Sequence, residues 1–299
     1  MAGTAEQYLR PDVIQQIQRL DLKARFIVEG FISGLHASPF HGFSVEFSEH
    51  RKYTPGDDIR MIDWGVYGKT DRFYVKKFEA ETNLEAYLLV DCSASMDFST
   101  GDRMTKMDYA ICLAAALGYM MVNQQDAVGL FTFDETVRHY LPPKSKRSHL
   151  TNILTTLAQT RPAGKTSLAK ALHDIASRTR KRGLMILLSD LLADQEEVIE
   201  ALHHMKYGGH DLMIFQVLDE AEVSFDFDGQ LELEEPETGQ TLQVDARSIR
   251  AGYLEEIRRF IDEYKRQCQA VRADFVMVHN GMTFDKALIE FLIERQSRM

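Results

Sequence analysis

Side chains that end in oxygen recur at three places where apolar runs give way to polar ones. These are Asp91-Cys92-Ser93-Ala94-Ser95, Gly164-Lys165-Thr166 and Ser189-Asp190. Asp91, Ser93, Ser95, Thr166 and Asp190 offer carboxylates and hydroxyls without an imidazole or thiolate among them. Hard oxygen donors suit Mg²⁺, Mn²⁺ or Ca²⁺ rather than zinc, with Mg²⁺ the leading choice here. In an extended turn Asp91, Ser93 and Ser95 point to one side, so a single loop supplies several ligands. Hydroxyls bring no charge. A dication held mainly by them stays electropositive and keeps a position open for a carboxylate from elsewhere.

Other chemistries fit the same residues less well. Asp and Ser after a strand commonly cap the next helix, which accounts for one of the five positions but not for all. Gly164-Lys165-Thr166 resembles the end of a phosphate-binding loop, yet Gln159 stands where that loop needs its first glycine. A Mg²⁺-dependent phosphatase-like hydrolase with Asp91 as nucleophile is the alternative enzyme reading. The residues superficially resemble a haloacid-dehalogenase phosphatase. That family places its general acid–base carboxylate two residues after the nucleophile, and Ser93, which cannot do that work at neutral pH, occupies the position here. The expectation is therefore a binding protein and not an enzyme.

The three segments need elements to bring them together. From residue 84 onward apolar runs alternate with helical patterns: strands at 84–90, 127–133, 184–189, 212–218 and 274–279, and helices at 105–123, 146–159, 167–180, 195–206, 248–270 and 284–295. A return strand at 136–141 pairs antiparallel with 127–133. The 184–189 run, Leu-Met-Ile-Leu-Leu-Ser, is continuously apolar, as a strand covered on both faces requires. Alternation of this kind gives parallel pairing with right-handed crossovers, an α/β doubly wound sheet. In such sheets ligands gather at the carboxyl ends of strands, where Asp91 and Ser189-Asp190 fall.

Residues 1–83 break the alternation, with a helix at 13–20 and strand-like pieces at 43–47 and 72–78, and are read as an α/β extension preceding a main domain at 84–299. Residues 222–246 read as a small β meander, in which Val223, Phe225 and Phe227 alternate with polar residues and Asp228-Gly229 turns the chain.

Composition narrows the class. The 299 residues carry a net charge of −10. Ten acidic residues and no Lys or Arg lie between Asp219 and Ala246, which leaves the rest of the chain near neutral. Nucleic-acid binding needs a clustered basic surface, and none is evident. Three scattered cysteines make neither a disulfide framework nor a zinc site. The longest nearly apolar run, 110–122, is too short to span a bilayer, and the N-terminus lacks a secretory pattern. A cytoplasmic protein is expected.

The Asp91-x-Ser93-x-Ser95 run, the Thr166 loop and the strand-end Asp190 resemble the metal-ion-dependent adhesion site of von Willebrand A domains. That resemblance implies that Ser93, Ser95 and Thr166 coordinate the ion, with Asp91 and Asp190 binding directly or through water. Upstream, Arg51-Lys52-Tyr53-Thr54-Pro55-Gly56-Asp57-Asp58-Ile59-Arg60-Met61-Ile62-Asp63-Trp64, Thr70-Asp71-Arg72 and Glu79-x-Glu81-Thr82-Asn83 resemble the bacterial domain-of-unknown-function family 58. This second resemblance reaches the Ala287-Leu288-x-x-Phe291-Leu292 segment and implies an A-like domain with an N-terminal extension. Members of that family are typically encoded beside AAA+ ATPases of the MoxR type. The implied role is that of a metal-dependent adaptor for such an ATPase or its client, gripping an acidic side chain. An Arg60–Asp63 pair is expected to anchor the extension.

Overall fold

The computed structural model describes residues 44–52, 64–81, 85–123, 125–164, 167–179, 181–234 and 240–284. The expected helix at 13–20, the body of the one at 284–295, the Arg60–Asp63 pair and Asp57-Asp58 lie outside the described residues. The chain folds into two compact units, one comprising Ile32–Asn83 and the other containing Leu84–Met299.

In the smaller unit β1 (Ser44–Lys52) pairs antiparallel with β2 (Tyr74–Glu81), with a bulge between Phe47 and Glu49. Between them runs a short helix, α1 (Trp64–Thr70). It ends where Asp71 adopts φ 56°, a left-handed geometry that Asp tolerates better than most residues. The Asp71 amide donates to the Tyr67 carbonyl, and the Tyr67 ring stacks on Phe73.

The larger unit is built on a six-stranded sheet. In chain order it comprises β3 (Glu85–Asp91), α2 (Lys106–Asn123), β4 (Ala127–Phe133), β5 (Val137–Lys144), α3 (Arg147–Gln159), α4 (Leu168–Arg178), β6 (Leu184–Ser189), α5 (Gln195–Tyr207), β7 (Asp211–Leu218), α6 (Glu220–Ser224), β8 (Gln230–Glu234), β9 (Thr241–Asp245), α7 (Ala246–Ala270) and β10 (Asp274–His279). The sheet order is β10-β7-β6-β3-β4-β5. Every neighbour is parallel except β5, which returns antiparallel along β4 at the edge. This is the doubly wound, mostly parallel α/β sheet that the alternating pattern predicts.

Both faces are covered. Tyr87, Leu89, Phe131, Met185, Leu187, Ile214 and Phe275 pack in one cluster with Leu172 and Ile175 of α4, Leu202 and Met205 of α5 and Tyr264 of α7. On the other face Leu88 of β3 and Leu150 of α3 both close on Gly118 of α2, so that a Cβ there would stand 3.4 Å from each side chain. Burial on both faces explains why β3, β4, β6 and β7 read as nearly unbroken apolar runs.

The chain reverses its winding direction at β3. From β3 it proceeds to β4 and β5 on one side; then it crosses back to β6, β7 and β10 on the other. The loops after β3 and β6 therefore leave neighbouring strands toward opposite faces and open a crevice between them.

The acidic insertion departs from the expected meander. Residues Glu220–Ser224 form a helix instead of a first strand. Asp219 accepts from the Ala221 amide, and Glu222 accepts from the Asp219 amide, a reciprocal cap that outweighs the local alternation. Phe225 closes the helix at φ 47°. Strands β8 and β9 then form a two-stranded antiparallel hairpin. Gly229, at φ 78°, precedes β8 and does not form the turn.

Candidate metal centre

Strand β3 delivers Asp91 to the crevice at the switch point. Its carboxylate is fully buried: Oδ1 accepts from the Ser93 amide at 2.9 Å, and Oδ2 accepts from the Ser189 hydroxyl at 2.6 Å. Ser189, at the end of β6, thereby ties the two diverging loops together. Ser93 and Ser95 follow in the same loop, with their Oγ atoms 3.1 Å apart. Ser93 is fully buried and Ser95 is 8% exposed. A short 3₁₀ turn, Ala94–Asp97, holds them in place, with the Met96 amide donating to Ser93 and the Phe98 amide to Ser95.

Asp190 is the next residue after β6 and is also fully buried. Its Oδ1 accepts from the Leu192 amide at 3.1 Å, which requires the chain to turn at Leu191 with φ 60°. That backbone is costly for a branched side chain and persists only when its surroundings hold it. The Ser189 hydroxyl accepts from the Leu191 amide, and the Leu191 carbonyl accepts from the Tyr264 hydroxyl.

The second loop is laced to the first. The Ala163 amide donates to the Cys92 carbonyl, and the Ala94 amide to the Gly164 carbonyl. Arg138 on β5 clamps the same segment, donating to the carbonyls of Arg161 and Ala163 while its Nε holds Asp134 at 2.6 Å. Gly164 passes at φ 82°, with Asp134 only 3.1 Å from where a Cβ would sit. Thr166 and Lys165 lie outside the described residues; residues 161–164 carry the loop to the crevice.

Lys106, which sequence reasoning missed, completes the group. It is fully buried, and its ammonium lies 2.9 Å from Asp190 Oδ2 and 2.9 Å from Glu222 Oε1. Burial disfavours its charge, but the two carboxylates outweigh that and raise its pKa above the ordinary lysine value. One signal was available: a lysine opens α2 where a helix N-terminus favours acid, directly before a long apolar face. Beyond Glu222, Asp219 accepts from Thr100 and from the Asn280 amide group at 2.6 Å. Burial works against its charge, and these donors outweigh it, holding its carboxyl below the usual range.

With all groups ionised, Asp91, Asp190, Glu222 and Lys106 carry two negative charges in excess. Burial, and then the neighbouring Asp190, push the Asp91 carboxyl well above the usual range. Burial likewise pushes the Cys92 thiol up to about 12, which keeps it an inert packing group. Among the described residues no three His, Cys, Asp or Glu side chains gather closely enough to hold an ion alone. Any cation here would need the hydroxyls. Their spacing suits one: octahedral Mg²⁺, with oxygens at about 2.1 Å, sets neighbouring ligands about 3 Å apart.

Comparison with known proteins gives the family and leaves the chemistry open. The family described as "Protein of unknown function DUF58" matches residues 49–261. Uncharacterized protein Rv1480 of Mycobacterium tuberculosis and Uncharacterized protein Mb1516 of Mycobacterium bovis are each 28% identical over 278 residues, covering 91% of this chain and 82% of theirs. Among solved structures, BatB from Bacteroides thetaiotaomicron is similar at a TM-score of 0.45 with 14% identity, over 72% of this chain and all of that one. The SpRpn10 VWA domain matches at 0.38 with 13% identity, over 69% of this chain and 93% of its own. By the extent of the family match, the chain belongs to the DUF58 family.

Proposed function

We propose that this protein is a metal-dependent adaptor: a divalent cation, Mg²⁺ first, sits at the switch-point crevice and captures an acidic side chain of a protein partner. The observation that carries the reading is the Ser93–Ser95 hydroxyl pair, 3.1 Å apart and buried beside two carboxylates that exceed their local ammonium in charge. Ser93, Ser95 and Thr166 would hold the ion directly. Asp91, whose oxygens already accept two hydrogen bonds, would orient the loop and bind through water. Asp190, whose charge Lys106 offsets only in part because it also pairs with Glu222, would bind directly or through water. The bound cation supplies an electrophilic vertex for a partner's Asp or Glu, a charge contact that desolvation strengthens.

The partner proposed is an AAA+ ATPase of the MoxR type or its client, because the motif offers no energy source of its own and remodelling must be driven from outside. Catalysis by this chain is not part of the proposal. Asp91 is fully buried with both oxygens engaged, which does not suit a nucleophile.

The test is a binding titration between this protein and the MoxR-type ATPase encoded nearest to it, with Mg²⁺ and with EDTA, repeated on Ser93→Ala with Ser95→Ala. Loss of binding in both cases is expected. Affinity unchanged by chelation and by the double substitution would refute the adaptor mechanism.

A further inference from the structure

A groove of about 740 Å³ runs between the loop that follows the candidate metal ligands and the acidic hairpin. That volume is typical of ligand clefts and exceeds what one ion needs. Its apolar surface comes from Phe98, Pro162, Phe227, Leu231 and Leu233. Phe98 and Leu233 are 38% and 39% exposed, high for side chains that usually seek cover.

Strand β8 contributes Leu231, Glu232, Leu233 and Glu234 in unbroken succession. Successive side chains of a strand point to opposite faces, so a groove that meets four in a row follows the strand's edge. Among the described residues β8 pairs only with β9. Its other edge, the one along the groove, has no strand partner among the described residues and so offers main-chain donors and acceptors.

Charge then selects the occupant. Asp97, Glu232 and Glu234 line the groove, and among the described residues no Lys or Arg does. Nearby Asp226 and Asp228 are paired with Arg250 and Arg247 of α7. Asp97, Glu232 and Glu234 have no ion-pair partner among the described residues. We propose that β8 receives an extended segment of a partner protein as an added strand, with Val, Ile or Leu alternating with Lys or Arg. The aliphatic side chains cover Phe98 and Leu233, the basic ones meet the three carboxylates, and the main chain pairs with the β8 edge. A five-residue strand spans about 17 Å, so the matching segment is about five or six residues long. This surface is independent of the metal and would act with or without an ion at Ser93 and Ser95.

The experiment uses the full chain in EDTA and a labelled Lys-Val-Lys-Val-Lys-Val peptide, followed by fluorescence anisotropy and by hydrogen exchange. Saturable binding is expected, weakened at least about tenfold by Glu232→Lys with Glu234→Lys and by raised salt. A peptide with proline replacing the central valine should bind several-fold more weakly, since it cannot donate to the edge. Amides of residues 230–234 should exchange more slowly in the complex. Equal binding of a Glu-Val repeat, undiminished binding by the charge-reversed variant, or no protection of β8 would each overturn the proposal. Because chelator is present throughout, failure here is distinguishable from failure of the metal reading.

Discussion

Replacing Lys106 by methionine keeps most of the side-chain volume and removes only the ammonium. In its place Asp190, fully buried, and Glu222, mostly buried, lose a partner that lies 2.9 Å from each. Breaking one side of a buried ion pair costs about 3–5 kcal/mol. In a domain of this size each kcal/mol corresponds to roughly 2–4 °C of Tm, so a fall of about 10 °C is expected without metal. Lys106→Met with Glu222→Gln should recover part of that loss, because one uncompensated carboxylate is then gone. Millimolar Mg²⁺ should stabilise Lys106→Met more than the wild type, since the excess negative charge beside the crevice has grown by one. Thermal unfolding followed by circular dichroism, with EDTA and with Mg²⁺, reads all of these. A Tm within about 2 °C of wild type in EDTA would refute the idea that Lys106 is the internal counter-charge of Asp190 and Glu222.

Three further outcomes can be checked on the same footing. Asp126 is 1% exposed, its Oδ2 has no hydrogen-bond partner among the described residues, and burial pushes its pKa up to about 7. Since the folded state holds this proton more tightly than the unfolded chain, stability is greatest at low pH and falls as pH rises from about 4 to about 7. Asp126→Asn should remove that fall, gaining up to ~4 kcal/mol above neutrality, and a Tm gap that stays constant across this range would contradict the assignment. Arg138→Ala frees the carbonyls of Arg161 and Ala163 and should cost about 1–3 kcal/mol while weakening Mg²⁺ binding, measured by calorimetry; unaltered metal affinity would show that this loop does not serve the site. Gly183→Ala brings a Cβ against the Glu85 carbonyl where β6 meets β3, and soluble expression with a Tm equal to wild type would show that the two strands are not held that closely.

Much of this architecture is legible in the sequence because burial on two faces leaves so little choice of residue. The run Leu-Met-Ile-Leu-Leu-Ser gives β6 its bounds, and the alternation of strands with helices gives the parallel sheet. The Asp91-x-Ser93-x-Ser95 spacing places three groups in one loop before any coordinates are known. What the sequence conceals is pairing at long range. Nothing local says that Lys106 will meet Asp190, 84 residues away, or that Asn280 will reach Asp219. His173 and His204 meet at 2.9 Å across α4 and α5 although neither carries a ligand-like spacing. The Val223–Phe227 alternation misleads for a different reason. A strand pattern of period two competes there with a cap whose two members, Asp219 and Glu222, satisfy each other's donors, and the cap prevails.

The most direct test of the central claim is calorimetric titration of Mn²⁺ or Mg²⁺ into chelator-stripped protein, wild type beside Ser93→Ala with Ser95→Ala. One saturable site per chain is expected in the wild type and none in the double variant, with both proteins equally folded by circular dichroism. Absence of binding in the wild type, or an equal isotherm in the variant, would contradict a cation held by the Ser93 and Ser95 hydroxyls.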